Sequence, residues 1–270
     1  MLDRPEQTQP ATWTFGRPAP APPGDAIRLL GLDFAAAPLP DVAASLAARP
    51  AEAPFAYVVT AHSHQLVRLS QDAALRPLYE GALLRLLGSR VVFKLCRMMG
   101  LPAPAVIPGC DLAARLIARE IHPQEPVTLL GLTPQALARL KARTGLRCID
   151  HHNPPTGFEN DPAAFEQALR FIEAHPARFT FLALGSPQQC LLANGLRQRQ
   201  RATGVGICIG EGLLTLTGQE RRAPGAIQQL GLEWAWRLAQ DPRGLARRYL
   251  VESPAIVGLL RQEAQDRGLA

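Results

Sequence analysis

Aromatic residues are scarce in this 270-residue chain, at 6%, so its core has to be built from Leu, Ala and Val. The apolar fraction of 47% is that of a globular protein, enough for one large domain or two small ones. Lysine is nearly absent: Lys94 and Lys141 stand alone, and arginine carries the formal charge of +6. A basic surface suits phosphorylated substrates, acidic lipid or nucleic acid. The arginines gather toward the C-terminus without interleaved aromatics, unlike the stacking platforms of single-strand binders, so no nucleic-acid partner is expected. Paired cysteines are missing too. Cys96, Cys110, Cys148, Cys190 and Cys208 form no CxxC motif, and the chain does not open on a basic-then-apolar secretory pattern. Reduced thiols and a cytoplasmic location are expected. No run approaches the roughly 18 apolar residues of a membrane span, which leaves peripheral membrane contact as the expectation.

What is present is an alternation of strand-like and helix-like segments. Residues 1–24 are rich in Pro, Gln and Thr and read as a disordered lead, from which Trp13 and Phe15 can dock on the body. Strands are expected at Ile27–Leu30, Phe55–Thr60, Val127–Gly131, Leu146–Ile149, Phe179–Leu184 and Val205–Ile209. Helical spacing runs through most of His64–Leu87. Thr133-Pro134 and Asp161-Pro162 each open a further helix with a capping side chain followed by proline. This order predicts an α/β fold, a Rossmann-like parallel sheet flanked by helices over residues 25–222. A C-terminal helical appendage is expected over residues 223–270.

The strand Phe179–Leu184 turns at Gly185-Ser186-Pro187-Gln188-Gln189 into a helix, and Val205–Ile209 turns at Gly210-Glu211-Gly212. Both turns fall at the carboxyl edge of a parallel sheet, where ligands of open α/β folds bind and helix N-termini favour anions. One site for a phosphate-bearing ligand is expected there. His62-Ser63-His64 follows another strand, and with His151, His152 and Cys190 it matches no zinc spacing, so no metal is expected.

Further landmarks accompany these turns: Val58-Val59-Thr60; Pro108-Gly109-Cys110-Asp111-Leu112; Thr217-Gly218 with Arg221-Arg222-Ala223-Pro224; Gly231-Leu232-Glu233-Trp234 with Arg237-Leu238; and Asp241-Pro242-Arg243 with Arg248-Tyr249. In order and spacing the set resembles the WecB/TagA/CpsF glycosyltransferase family, glycosyltransferase family twenty-six, from about Ile27 to Leu260. The resemblance implies an inverting transferase that moves a hexosyl or N-acetylhexosaminyl group from a UDP-sugar. The acceptor it implies is a sugar on a polyprenyl diphosphate, in surface-glycan or exopolysaccharide synthesis. It also implies a protein at the inner face of the plasma membrane, touching it through its C-terminal helices, with an oligomer possible. No cofactor beyond the donor is implied. Candidate substrate-binding residues are Thr60, Ser89, Arg90, Gly109, Asp111, Gly185, Ser186, Pro187, Gln188, Gln189, Gly210, Arg221 and Arg222, with Arg247 and Arg248 for the lipid diphosphate. Arginine suits both roles because its planar fork pairs phosphate oxygens two at a time.

The chain departs from the family pattern at telling places. His62 stands where an asparagine is usual, and Leu87-Gly88-Ser89-Arg90 stands where the family carries a catalytic aspartate in an Asp-Gly or Asp-Ser-Arg motif. Cys190 replaces a common glutamate, and no acidic residue stands near Leu214. Two readings follow. Either His62, His64 or Glu211 supplies the base from elsewhere in the cleft, or the chain is a paralogue that binds a nucleotide sugar or a partner without turnover. Trp234 and Trp236 read as helix-packing anchors rather than sugar platforms.

Overall fold

The computed structural model describes residues 25–210, 212–219, 222–225, 227, 230, 232–247 and 253–269. The Pro-rich lead, Glu211, Arg221 and Arg248 lie outside the described residues. Strands β1 (Ala26–Leu29) and β2 (Leu32–Ala35) pair antiparallel as a separate hairpin. The main sheet contains β3 (Ala56–Ala61), β4 (Leu84–Leu87), β5 (Val127–Gly131), β6 (Ile149–His152), β7 (Phe179–Ala183) and β8 (Val205–Cys208). All its pairings are parallel, in the order β4-β3-β8-β7-β5-β6. The expected Rossmann-like sheet is therefore present, and the two strands that end in glycine turns, β7 and β8, are neighbours near its middle.

Each crossover needs a helix, and the hand of the crossovers decides which face it covers. One face carries α2 (Ser63–Gln71), α3 (Arg76–Glu80), α4 (Arg90–Met98), α7 (Pro162–Ala174) and α8 (Gln188–Arg199). The other carries α1 (Leu39–Ala47), α5 (Gly109–Arg115, extended by a π-helical turn to Glu120), α6 (Pro134–Thr144) and α9 (Gly212–Thr217). The strands between them are buried on both sides, which is why β5, β7 and β8 read as continuous apolar runs. The C-terminal helices are α10 (Glu233–Gln240), α11 (Pro242–Ala246) and α12 (Ile256–Asp266). Ile256, Leu260 and Ala264 seat α12 in the core of the first face. No helix among the described residues is long and apolar enough to cross a membrane.

Local signals place the helix starts as read. The Thr133 hydroxyl accepts from the Ala136 N–H at 3.2 Å, and the Asp161 carboxylate accepts from Ala163 and Ala164 at 2.9 and 3.3 Å. Two expectations need correction. The helical reading of His64–Leu87 hides β4, because Leu83-Leu84-Arg85-Leu86-Leu87 fits helix and strand alike. Packing against β3 settles it, with Val58–Ala61 in register with Leu84–Leu87. The strand expected at Ile27–Leu30 is present as β1 and pairs with β2 in the hairpin. The edge strand β6 begins where Ile149 meets Val127, three residues later than expected, since its partly exposed residues give no continuous apolar run.

Candidate functional site

The carboxyl ends of β4, β3, β8 and β7 open onto a cavity of about 440 Å³. β8 hands the chain to α9 on one face, while its neighbours β3 and β7 hand it to α2 and α8 on the other. The helices part at that point, and a crevice is left above the strand ends. The first turns of α2, α4 and α8 all reach its wall, through Ser63 and His64, Arg90 and Val91, and Gln189. Each brings the positive end of a helix dipole to it, while first-turn N–H groups are already taken by local acceptors: Gln189 by the Gly185 carbonyl at 3.0 Å, Gln65 by the His62 carbonyl at 3.0 Å and Val92 by Ser89 Oγ at 3.3 Å.

Local chemistry holds the walls. Gln189 is only 3% exposed, and its Oε1 accepts from the Gly210 N–H at 2.8 Å. One buried amide thus ties the turn after β7 to the turn after β8. The Thr60 hydroxyl donates to the Cys208 carbonyl at 3.2 Å and ties β3 to β8. At the start of α2 the His62 N–H donates to Gln65 Oε1 at 2.8 Å, and Ser89 Oγ caps α4 by accepting from Val92 at 3.3 Å. α5 enters so closely that a Cβ at Gly109 would lie 3.1 Å from both Thr60 Oγ1 and Ile209 Cγ2. That approach explains a glycine in the Pro108-Gly109-Cys110-Asp111 segment.

Of the residues singled out in the sequence, Thr60, His62, His64, Ser89, Arg90, Gly109, Gly185, Ser186, Gln189 and Gly210 line this one cavity. Pro187 and Gln188 lie behind the wall; the Gln188 amide donates to Glu159 at 2.6 Å. Asp111 pairs with Arg222 rather than facing the cavity. Burial opposes the Arg222 charge, but the neighbouring Asp111 carboxylate more than offsets it, and the guanidinium pKa rises. Arg247 is exposed beyond α11 and is not among the lining residues. Among the described residues no three His, Cys, Asp or Glu side chains are placed to share a metal ion.

The structure adds residues that the sequence did not assign to the site. The C-terminal segment forms a wall of the cavity through Glu233, Trp234, Ser253, Pro254, Ile256 and Val257. Trp234 therefore faces the cavity, where the sequence suggested only a packing anchor. Contacts that fasten this wall include Arg90 Nη1 to Glu233 Oε2 at 3.3 Å and Ser63 Oγ to Ser253 Oγ at 3.2 Å. Gly88, in the segment that the sequence marked for its missing aspartate, also lines the cavity. The His62 imidazole lies over Gly88 so closely that a Cβ at position 88 would sit 2.8 Å from Nε2 and 2.9 Å from Cε1. The His64 ring stacks beyond, 6.3 Å away with planes 17° apart.

A family model described as the glycosyl transferase WecG/TagA/CpsF family matches residues 27–268, nearly the whole chain.

Proposed function

The chain belongs to that glycosyltransferase family, and from this premise we propose that it moves a hexosyl or N-acetylhexosaminyl group from a UDP-sugar, with inversion, to a sugar on a polyprenyl diphosphate. The observation that carries the proposal is the convergence of three helix N-termini on the cavity, with two glycine turns joined by Gln189. Such a cradle suits a diphosphate, whose charge it meets with the positive ends of three helix dipoles. Gly185, Ser186 and Gly210 present backbone to the nucleotide, and Arg90 offers a guanidinium to the departing UDP. The lipid-borne acceptor enters past the C-terminal wall. Exposed Leu230 and Leu232, with Arg243 and Arg247 nearby in sequence, suit a peripheral contact with an acidic bilayer surface.

The test is calorimetric titration of the full chain with UDP, UDP-glucose and UDP-N-acetylmannosamine without added metal. Binding of UDP and of at least one donor is expected. Binding of none would sink the proposal.

The second reading, nucleotide-sugar binding without turnover, is favoured by the absence of a carboxylate at Gly88, which stands where an Asp-Ser-Arg motif would begin. The His62 ring takes up the space beside it, so the two departures fit each other physically. Gly88→Asp alone is expected to crowd that ring and cost about 1–3 kcal/mol. Combined with His62→Asn, most of that loss should return, a coupling above about 1 kcal/mol in a double-mutant cycle of thermal melts. Additive losses would show that the two positions do not compete for space.

A further inference from the structure

Glu233 supplies the single carboxylate among the described residues that line the cavity. It arrives from the first turn of α10, 143 residues away in sequence from its partner Arg90. Its side chain is 24% exposed, enough to meet a ligand and dry enough for its charge to act strongly. The bond to Arg90 engages only Oε2, and at 3.3 Å it is long for a charge-assisted pair. A diphosphate arriving in the cradle competes for the same guanidinium and weakens the hold on the carboxylate.

We propose that Glu233 is the general base of this site, brought into the cavity by the C-terminal segment rather than by a strand end. This assignment rests on the glycosyltransferase reading above. In the step it serves, Glu233 takes the proton from the acceptor hydroxyl as that oxygen bonds to the anomeric carbon of the donor. The bond from that carbon to the β-phosphate oxygen breaks, and UDP leaves with the bonding pair. Arg90 then faces the charge that develops on the leaving diphosphate. The base and the leaving-group clamp are thus partners in the resting enzyme and separate into their two roles when substrate is bound. His62 and His64 line the same cavity, but Glu233 comes to it on the separate C-terminal wall, past which the acceptor enters on the reading above.

The experiment measures UDP release by the full-length protein from UDP-glucose and UDP-N-acetylmannosamine, with a short-chain alkyl diphosphate N-acetylglucosamine as acceptor. Glu233→Gln keeps the shape and a hydrogen-bond acceptor for Arg90 but cannot take a proton. It should lose about 10²–10⁴-fold in kcat while binding UDP within about threefold of the parent. Formate should restore part of the rate of Glu233→Ala, because a small carboxylate can fill the vacated space. A Glu233→Gln enzyme within threefold of parent kcat overturns the assignment and leaves the transferase reading intact. So does a loss that follows UDP affinity or melting temperature, or one that formate does not touch, since those mark an ion pair that only fastens the wall. A parent protein that binds UDP but releases none from either donor overturns the Glu233 assignment together with the transferase reading and leaves binding without turnover, and one that does not bind UDP overturns that reading too.

Discussion

Replacing Arg85 by Met should lower the melting temperature by on the order of 10 °C, the largest loss expected from one side chain outside the cavity. Arg85 is 6% exposed on β4. Its Nε donates to the Asp33 carbonyl at 2.6 Å, and its Nη1 serves the carbonyls of Tyr79, Ala82 and Glu80 at 3.0, 3.0 and 3.3 Å. One guanidinium therefore pins the β1–β2 hairpin to the sheet and satisfies the turn that leads from α3 into β4. Burial lowers its pKa, and Asp33 opposes that shift; a guanidinium stays charged regardless. Methionine matches the stem and leaves these carbonyls without a donor. Each buried orphan costs about 1–3 kcal/mol, and several of these carbonyls lose their donor together. At roughly 2–4 °C per kcal/mol for a chain of this size, the fall should be plain in a thermal melt. Arg85→Lys should recover little, because an ammonium cannot span carbonyls on two sides. A methionine variant melting within about 2 °C of the parent would mean that water replaces the guanidinium and the clamp carries no load.

The second large effect is expected at Gly131, the last residue of β5. Its φ is +90°, a conformation that costs an L side chain about 1–2 kcal/mol. A Cβ there would also lie 2.3 Å from the Ala183 carbonyl oxygen and 2.8 Å from its carbon, both backbone atoms at the end of β7. No rotamer relieves such a clash, so β7 must move, and with it the Gly185 turn that lines the cavity. Gly131→Ala should cost about 2–5 kcal/mol in chemical denaturation and weaken UDP binding at least tenfold. The second readout matters because it joins fold to site. Stability lost with affinity unchanged would show that the end of β7 can shift without disturbing the cradle.

Parts of the site were legible because they depend on neighbours in the chain. A buried strand followed by a glycine turn and a helix announces a turn at the carboxyl edge of the sheet, and the Gly185 turn after β7 and the Gly210 turn after β8 both line the cavity there. The choice between Gln188 and Gln189 was not legible. Successive helical residues differ by about 100° around the axis, so the orientation of α8 alone turns one amide to Glu159 and the other to Gly210. Nor could sequence show that His62 and Gly88 compete for one volume, because they end different strands that meet only when β3 and β4 pair.

By itself the sequence determined the alternation of strands and helices, the capped starts of α6 and α7, and the two central strands whose turns open the site. These follow from periodicity, capping side chains and glycine, all of which act within a few residues. Only the tertiary structure decided that the leucine-rich segment at 84–87 is a strand, since its pattern suits either period and pairing with β3 breaks the tie. Only it carried Glu233 to Arg90 across the cavity mouth. Contacts of that separation depend on how whole layers pack, and no local pattern in the chain encodes them.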